Sequence, residues 1–410
     1  MARVLFIWEA GADYGHLMRL ATLGRELARR GHAPVFALRD LTHVQALLGD
    51  LPGTVLQAPL WRGVVSGLPP PAGPAETLLR IGFLHPQALA GMVRAWRSLL
   101  DLVQPDLLVL DFAPTAMLAT RGLPLPRLLL GDTFALPPRR TPLPPYRWWR
   151  PESALRMAES ERHALEGANT VLAQYGQPPL ARLADLYEAD EAIATAWEAF
   201  DQYPGRDAAT ERLHYWGALP GLDTGVAPDW PKVDGRRVFA YLKPHARDFD
   251  AVLSALKDLP VSVAVHAPGL SVAAQRRHLA ANLRFHAQPL RMADVLRDVT
   301  LGICHAGANT TQALVAAGIP ALLLPEHVEQ MMTARRAAEL GAALVVDHEK
   351  PPPHFKRLIQ RLLDEPAFTD AARAVQARHA GDDPTLRAAR IVDRLLQWLP
   401  GGGALATTAG

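Results

Sequence analysis

The residues best suited to bind an anion lie in the second half of the chain. The segment Cys304-His305-Ala306-Gly307-Ala308-Asn309-Thr310-Thr311 lies between a predicted buried strand and a predicted helix that starts at Thr310. In an open α/β sheet, ligands bind at the carboxyl ends of strands, and a helix N-terminus there adds unpaired N–H groups and a positive dipole. Gly307 allows close approach to the backbone, and Asn309 and Thr310 carry side-chain donors. The segment predicts a site for an anion such as a diphosphate, although Thr310 as an N-cap and His305 as an ordinary turn residue explain it as well.

A histidine and two acidic residues near predicted strand ends are candidates for acid–base chemistry. His16 comes soon after the predicted strand Arg3–Trp8, and Asp111 directly follows the predicted strand Leu107–Leu110. Because the carboxyl ends of parallel strands share one edge of a sheet, these side chains should lie close together. Imidazole, with a pKa of about 6.5, can remove a hydroxyl proton near neutral pH, and a carboxylate behind it fixes the tautomer. Asp13, on the same loop, is a third candidate; a structural histidine at a helix start and a structural aspartate after a strand remain the alternative.

Strands and helices alternate along both halves of the chain. The strand Arg3–Trp8, a glycine-containing loop, an amphipathic helix from Leu17 to Arg30 and a strand over Pro34–Leu38 make one βαβ unit. The other predicted strands are Leu107–Leu110, Leu128–Leu130, Val238–Leu242, Val261–Val265, Leu301–Cys304 and Ala321–Pro325. This alternation predicts two doubly wound α/β domains with parallel sheets.

Composition predicts where these domains begin and end. Residues 216–235 are dense in Gly and Pro and form a predicted linker between a first domain, 1–215, and a second domain, 236–382. A helix over 383–399 is expected to pack back on the first domain, and the tail 400–410 is predicted to be disordered because it has nothing to bury.

The overall composition excludes several classes of protein. Among 410 residues, 43 Lys+Arg against 41 Asp+Glu give a net charge of +2, which argues against a dedicated nucleic-acid binder. A single cysteine excludes a disulfide framework, and no cluster of carboxylates has the spacing of a metal site. No apolar stretch reaches the roughly 20 residues that a membrane span needs, and no signal peptide is recognisable. A cytoplasmic enzyme or binding protein, as a monomer or homodimer, is therefore expected.

The segment from His305 to Gln330 resembles the donor-binding signature of family 1 glycosyltransferases, the group of UDP-glycosyltransferases and macrolide and glycopeptide glycosyltransferases. In that family a His-x-Gly motif is followed by Gly-[Val/Ile]-Pro, by a further proline and by an acidic residue with glutamine. The corresponding residues here are Gly318-Ile319-Pro320, Pro325 and Glu329-Gln330. The family's first βαβ unit is similar to the segment here in which Gly15-His16 precedes a helix that ends in Arg-Arg-Gly-His32. The dipeptide Trp216-Gly217 is similar to the family's entry into the interdomain segment.

This resemblance implies a fold, an activity and a set of site residues. The fold would be GT-B, with two Rossmann-like domains whose parallel sheets face each other across a cleft. The activity would be inverting, metal-independent transfer of a sugar such as a hexose from a nucleoside-diphosphate sugar to an acceptor hydroxyl, with no cofactor and with His16 as general base assisted by Asp111. The donor would be bound by His305, Gly307, Ala308, Asn309 and Thr310 at the diphosphate and by Glu329 and Gln330 at the sugar hydroxyls.

Two positions depart from the family pattern. Ala313 stands where many members have a glutamate that contacts the ribose, and Ala287 stands where the plant-type signature has a base-stacking tryptophan. Members that use thymidine-diphosphate deoxysugars often lack the glutamate, so the departure favours dTDP over UDP as the carrier.

The acceptor is the least defined part of the prediction. The Pro/Trp-rich stretch Arg139–Arg150, with Trp148 and Trp149, is either an acceptor-binding region or a stiff surface loop. The acceptor would be a hydrophobic small molecule, a lipid-linked sugar or a peptide. The competing interpretations are a non-catalytic nucleotide-sugar-binding partner protein and a nucleotide-sugar epimerase of the same fold.

Overall fold

The computed structural model describes residues 1–11, 14–219 and 225–399. Within these ranges the chain forms two compact units. The first holds residues 1–197, 203–219 and 384–399, and the second holds residues 198–202 and 225–383. Three parts of the predictions lie outside the described residues. They are the candidate residue Asp13, residues 220–224 of the predicted linker 216–235, and the tail 400–410, which is predicted to be disordered.

The first unit is built on a seven-stranded sheet. Its strands are β1 (Arg3–Trp8), β2 (Ala33–Leu38), β3 (Thr54–Gln57), β4 (Leu107–Asp111), β5 (Arg127–Gly131), β6 (Glu191–Ala194) and β7 (Leu213–Tyr215). Their order is β3-β2-β1-β4-β5-β6-β7, and every neighbouring pair is parallel. The winding direction reverses between β1 and β4, where Trp8 pairs with Asp111. Such a reversal opens a crevice at the carboxyl ends of the strands, so Asp111 ends its strand beside a ready binding position.

The second unit repeats this arrangement with six strands. They are β8 (Arg236–Tyr241), β9 (Val261–His266), β10 (Leu283–His286), β11 (Leu301–Cys304), β12 (Ala321–Leu323) and β13 (Ala343–Val345). The order is β10-β9-β8-β11-β12-β13, again all parallel, with the reversal between β8 and β11. The prediction of two doubly wound α/β domains is confirmed, and His305 directly follows the strand on one side of the reversal.

Helices connect the strands in both units. The first unit contains α1 (Tyr14–Arg29), α2 (Val44–Leu48), α3 (Pro74–Leu78), α4 (Pro86–Val103), α5 (Pro114–Ala119) and α6 (Ala154–Gln174). The second contains α7 (Phe249–Lys257), α8 (Val272–Arg277), α9 (Met292–Asp298), α10 (Ala308–Ala316), α11 (Val328–Glu339), α12 (Phe355–Asp364) and α13 (Pro366–Arg378). The last helix, α14 (Pro384–Leu396), belongs to the first unit. Across the described ranges, none of these helices has the length and apolar character that a membrane crossing requires.

Three helices that carry predicted site residues begin earlier than their apolar pattern suggests. The helix predicted from Leu17 starts at Tyr14, and the helix predicted from Thr310 starts at Ala308. Helix α11, whose apolar pattern is recognisable only from Met331 onward, starts at Val328. The pattern detects only the turns that bury apolar side chains, whereas the first turn of each of these helices holds polar residues near the strand ends. His16 and Glu329 therefore lie within helices and not on loops before them.

Burial of α1 fixes the position of its first turn. Leu20, Leu23 and Leu27 are fully buried and α1 packs against β1 and β2. Full burial of a leucine contributes about 1.5–3 kcal/mol each. The helix is therefore held firmly against the sheet, and His16 in its first turn has a defined place.

Helix α14 adds a further layer to the first unit. Arg394 Nε lies 2.8 Å from a carboxylate oxygen of Glu191, which is buried at the start of β6. The Arg387 guanidinium carbon is 4.7 Å from the centre of the Trp197 ring, and Ile391 is fully buried.

Candidate active site

His16 and Asp111, predicted to meet at the sheet edge, form a buried hydrogen-bonded pair. Nδ1 of His16 lies 2.9 Å from Oδ1 of Asp111, and the two residues are 7 % and 0 % exposed. Because a carboxylate only accepts hydrogen bonds, Nδ1 carries the proton and Nε2 is the basic nitrogen of the neutral ring. The Trp8 ring stacks on the imidazole at 5.2 Å with an interplanar angle of 14°. The pair has the orientation of a carboxylate-supported general base.

Gly11 controls access to the basic nitrogen of His16. Its φ is +85°, in the left-handed region, and a Cβ added there would lie 2.7 Å from Nε2. A side chain at this position would therefore be strained and would also press on Nε2 of His16. Sequence reasoning missed this role, although a glycine shortly before a candidate base is a visible signal.

The charges around the pair shift both pKa values. Burial by itself lowers the pKa of His16, but the charge of Asp111 and the hydrogen bond to it raise that pKa above its ordinary value. Burial acts to raise the pKa of Asp111, yet the charges of Arg19 and His16 hold it below its ordinary value. Asp111 is therefore ionised at neutral pH, and it favours the imidazolium that His16 forms on taking up a proton.

Two further charged residues complete this cluster and were missed from the sequence. Arg19 Nη1 lies 2.7 Å from Oδ2 of Asp111, and Arg19 Nη2 lies 3.6 Å from Oδ2 of Asp132. Arg19 is only 4 % exposed and Asp132 7 % exposed. The sequence signal for Arg19 is its position three residues after His16, which places both on one face of α1.

A row of aromatic residues extends from the imidazole of His16. The Phe112 ring centre is 6.4 Å from that of His16, the Phe134 ring is 6.0 Å from Phe112, and Tyr146 stacks on Phe134 at 4.7 Å. Trp148 and Trp149, the candidate acceptor residues, are half-buried and meet edge to face at 5.3 Å. Trp148 lines a cavity of about 410 Å³ together with prolines of the same loop.

His305, in the second unit, is held by main-chain groups on both sides of its ring. Nδ1 donates to the carbonyl oxygen of Leu324 at 3.0 Å, and Nε2 accepts from the N–H of Lys243 at 2.9 Å. Burial lowers the pKa of His305 despite the opposing effect of the Leu324 carbonyl, so the ring is neutral at pH 7. The ring ties the ends of β8, β11 and β12 together. Both ring nitrogens are thereby engaged with main-chain groups, and the role of His305 in binding a diphosphate stays a prediction.

The N-terminus of α10 follows immediately. Gly307 is the N-cap, not Thr310, and Ala308, Asn309 and Thr310 form the first turn. The first N–H groups of a helix have no partner within the helix, so this turn presents donors and a positive dipole at the sheet edge. Gly307 has nothing within 4 Å of the position a Cβ would take.

Glu329 and Gln330 lie in the first turn of α11. Oε1 of Gln330 accepts from the N–H of Glu326 at 2.8 Å, and Gln202 Nε2 donates to the main-chain oxygen of Glu329 at 3.1 Å. Oε2 of Glu326 in turn lies 3.8 Å from Nδ1 of His305 and 3.9 Å from Nζ of Lys243. Glu326 and Lys243, which sequence reasoning missed, connect this turn to the loop around His305.

Carboxylate, imidazole and thiol groups do not assemble into a metal site within the described ranges, where no group of three or more of them is suitably placed. The start of α10 can stabilise negative charge, because the first N–H groups of a helix have no partner within it.

Two doubly wound units, each with polar groups at the reversal of its sheet, are the elements of the GT-B fold. Solved structures share this fold. The glycotransferase of kitacinnamycin superposes with a TM-score of 0.70 at 18% identity, covering 97% of this chain and 99% of its own. The glycosyltransferase VinC in complex with dTDP gives 0.65 at 19% identity, covering 96% and 100%.

Sequence comparisons narrow the class. Residues 250–396 match the family described as erythromycin biosynthesis protein CIII-like, C-terminal domain. The UDP-N-acetylglucosamine–N-acetylmuramyl-(pentapeptide) pyrophosphoryl-undecaprenol N-acetylglucosamine transferase of Lacticaseibacillus casei (strain BL23) is 23% identical over 376 residues, covering 85% of this chain and 90% of that protein. These similarities confirm the resemblance to family 1 glycosyltransferases drawn from His305 to Gln330, and they indicate that the chain is a glycosyltransferase.

Proposed function

We propose that this glycosyltransferase moves a hexosyl group from a dTDP- or UDP-sugar to an acceptor hydroxyl with inversion, and that His16 is the general base. The observation that carries the proposal is the orientation of His16. Its Nδ1 is fixed on Asp111, so that Nε2 is the nitrogen available to accept a proton. A positioned base of this kind contributes on the order of 10²–10⁴-fold to the rate.

In the proposed reaction the acceptor hydroxyl gives its proton to Nε2 of His16 as its oxygen attacks the anomeric carbon. The bond between that carbon and the diphosphate oxygen breaks, and the diphosphate leaves with the bonding electrons. Asp111 stabilises the imidazolium, which later releases its proton to solvent. A single displacement from the face opposite the leaving group inverts the anomeric configuration.

The second unit would bind the donor. The N–H groups of Ala308, Asn309 and Thr310 at the start of α10, together with the side-chain donors of Asn309 and Thr310, suit the two phosphates and would stabilise the leaving group. The neutral, main-chain-bonded ring of His305 would shape this loop and would not itself neutralise phosphate charge. Glu329 and Gln330 would contact sugar hydroxyls, which both donate and accept hydrogen bonds.

The carrier nucleotide remains a choice between dTDP and UDP. Ala313 offers no carboxylate to a ribose, and the neighbouring Gln312 is buried at 1 % exposure, so it offers no substitute. VinC was solved with dTDP, whereas the L. casei relative is named for a UDP-sugar. The missing ribose contact favours dTDP, whose deoxyribose has no 2′-hydroxyl.

The aromatic residues near His16 bear on the acceptor. The ring of Phe112 lies beside the imidazole, and the ring of Phe134 packs edge to face against Phe112. They suit the apolar part of a hydrophobic acceptor whose hydroxyl reaches Nε2.

The test needs no knowledge of the acceptor, because glycosyltransferases can be followed by slow transfer of the sugar to water. Wild-type protein, His16→Ala and the control His43→Ala, which changes an exposed histidine, are incubated with dTDP-glucose and UDP-glucose. We expect hydrolysis to fall by at least about 10²-fold in His16→Ala only. Both variants should keep the rise in melting temperature that dTDP or UDP produces, because a nucleotide bound in the second unit stabilises by mass action.

Three results would contradict the proposal. Undiminished hydrolysis by His16→Ala would remove the proposed base. Retention of the anomeric configuration in the released sugar, read by proton NMR, would exclude single displacement, and an isomerised nucleotide-sugar would indicate an epimerase.

A further inference from the structure

The buried Arg19 contacts the carboxylate oxygen of Asp111 that His16 does not contact. Arg19 lies one helical turn after His16 on α1, and both side chains contact Asp111. Nδ1 of His16 donates to Oδ1 of Asp111 at 2.9 Å, and Nη1 of Arg19 donates to Oδ2 at 2.7 Å. Because each oxygen of the carboxylate has its own donor, Asp111 cannot rotate without losing one of two charge-assisted hydrogen bonds.

The strand next to β4 supplies a second carboxylate. Asp132 directly follows β5; its Oδ1 accepts from the N–H of Ala135 at 3.3 Å, and its Oδ2 lies 3.6 Å from Arg19 Nη2. Gly131, just before it, leaves the space for this arrangement, since a Cβ there would lie 3.5 Å from Oδ1 of Asp111 and 3.3 Å from Cβ of Ala135. Arg19 therefore bridges the carboxylates at the ends of two neighbouring strands.

The groups that face His16 act on it with opposite signs. Asp111 from β4 and Asp132 after β5 favour the imidazolium, whereas Arg19 on the helix of His16 disfavours it. From β1, the Trp8 ring contacts the imidazole, and the carboxylate of Glu9 is turned to the N–H groups of Thr115 and Ala116 at 2.9 and 3.2 Å. Without Arg19, two buried carboxylates would draw a proton onto His16 with no cation to balance them.

We propose that Arg19 is a positioning residue, which orients Asp111 for His16 and opposes the proton uptake by His16 that Asp111 and Asp132 favour. The proposal rests on the assignment of His16 as the general base. It predicts that Arg19 and Asp132 affect the same titration in opposite directions, which a purely structural role does not.

The test measures the titration of His16 directly and independently of turnover. The imidazole signals are followed by NMR in ¹⁵N-histidine-labelled protein, with His16 assigned by their loss in His16→Asn. We expect Arg19→Met to move the midpoint of His16 to higher pH and Asp132→Asn to move it to lower pH. Arg19→Lys, which keeps the charge, should stay close to wild type, and Arg29→Met, which removes an exposed arginine of the same helix, should have no effect.

Hydrolysis of the donor sugar supplies the second readout. In Arg19→Met we expect the rate at pH 6.5 to fall by on the order of tenfold, with recovery toward wild type at pH 9, because more alkaline solution restores the neutral imidazole. The methyl thioether of Met fills part of the space of the arginine. If Arg19→Met does not fold, Asp132→Asn and Arg19→Lys still decide the question through the NMR titration.

The proposal is overturned if neither Arg19→Met nor Asp132→Asn moves the His16 midpoint, or if both move it in the same direction. It is also overturned if Arg19→Met lowers the rate equally at every pH. An unchanged rate in His16→Ala, by contrast, refutes the proposed base while the NMR arm still reports whether Arg19 controls the charge of His16.

Discussion

The two units place a buried histidine next to the same feature of the fold and use it in different ways. His16 lies beside the reversal between β1 and β4, and His305 follows β11 beside the reversal between β8 and β11. His16 contacts a carboxylate with one nitrogen and has its other nitrogen opposite Gly11. His305 has main-chain partners on both nitrogens. One ring can exchange a proton, whereas the other holds three strand ends together.

The backbones around the two sites are nevertheless alike. Phe112, directly after Asp111, has φ +45°, and Ala306, directly after His305, has φ +58°. In each unit a non-glycine residue thus adopts the left-handed conformation where the chain leaves a strand at the reversal. Such residues cost of order 1–3 kcal/mol and persist where surrounding structure determines them. The doubly wound fold supplies the position, and the partners of the ring nitrogens decide the chemistry.

The largest expected effect comes from the carboxylate that distinguishes the first site. Asp111→Asn keeps the shape of the side chain but removes the charge that orients His16 and stabilises its imidazolium. We expect donor hydrolysis to fall by on the order of 10²–10⁴-fold, with nucleotide binding retained. Steady-state rates and nucleotide-induced melting shifts measure the two quantities.

Asp106→Asn is the matched control for this experiment. Asp106 lies at the opposite end of β4, directly before Leu107, and its carboxylate accepts a hydrogen bond from the N–H of Arg3. Equal losses in both variants would mean that Asp111 acts through the stability of the fold alone.

Each of the two sites contains a glycine, and replacing it by alanine tests the two units separately. Gly11→Ala adds a methyl group 2.7 Å from Nε2 of His16 at a residue with φ +85°. We expect kcat to fall by on the order of 10–10²-fold because the base is displaced by a fraction of an ångström. Gly15→Ala, whose new methyl group meets nothing within 4 Å, should be close to wild type.

The counterpart in the second unit is Gly307→Ala. This residue has φ −59°, which any residue adopts, and the added methyl group meets no protein atom within 4 Å. If the donor diphosphate lies at the start of α10, the methyl group intrudes on the ligand alone. We expect the Kd for dTDP to rise about tenfold, equivalent to about 1.4 kcal/mol, with little change in melting temperature of the free protein. Unchanged dTDP affinity would move the diphosphate away from this turn.

The sequence was sufficient for the positions of the site residues but not for their partners. Apolar runs predicted the strands, and strand ends predicted that Asp111 and His16 would meet. An arginine in an amphipathic pattern normally faces solvent, yet Arg19 is only 4 % exposed. The partners of His305 are main-chain groups 62 and 19 residues away, and any residue type offers those groups, so no side-chain motif could reveal them.

His305 is expected to affect stability more than proton transfer. His305→Ala leaves the N–H of Lys243 and the carbonyl of Leu324 without the ring, and each buried unpaired polar group costs about 1–3 kcal/mol. We expect a loss of this order in the free energy of unfolding from urea titration, whereas the exposed His245→Ala should change little. A variant as stable as wild type that nevertheless loses dTDP binding would show that the ring contacts the ligand itself.

The smallest and most specific effect is the dependence of stability on pH. The pKa of His16 is raised in the folded protein because Asp111 outweighs burial, so its stabilising contribution is complete below the unfolded value of about 6.5 and is lost as pH rises through the folded pKa. The pKa of His305 is lowered by burial, so its contribution is present above about 6.5 and is lost as pH falls toward the folded pKa. Melting temperatures of wild type, His16→Asn and His305→Asn between pH 5 and 8.5 separate the two. The difference from wild type should narrow toward alkaline pH for His16→Asn and toward acidic pH for His305→Asn. If both differences in melting temperature narrow toward the same end of the pH range, the pKa values of His16 and His305 are not shifted in opposite directions.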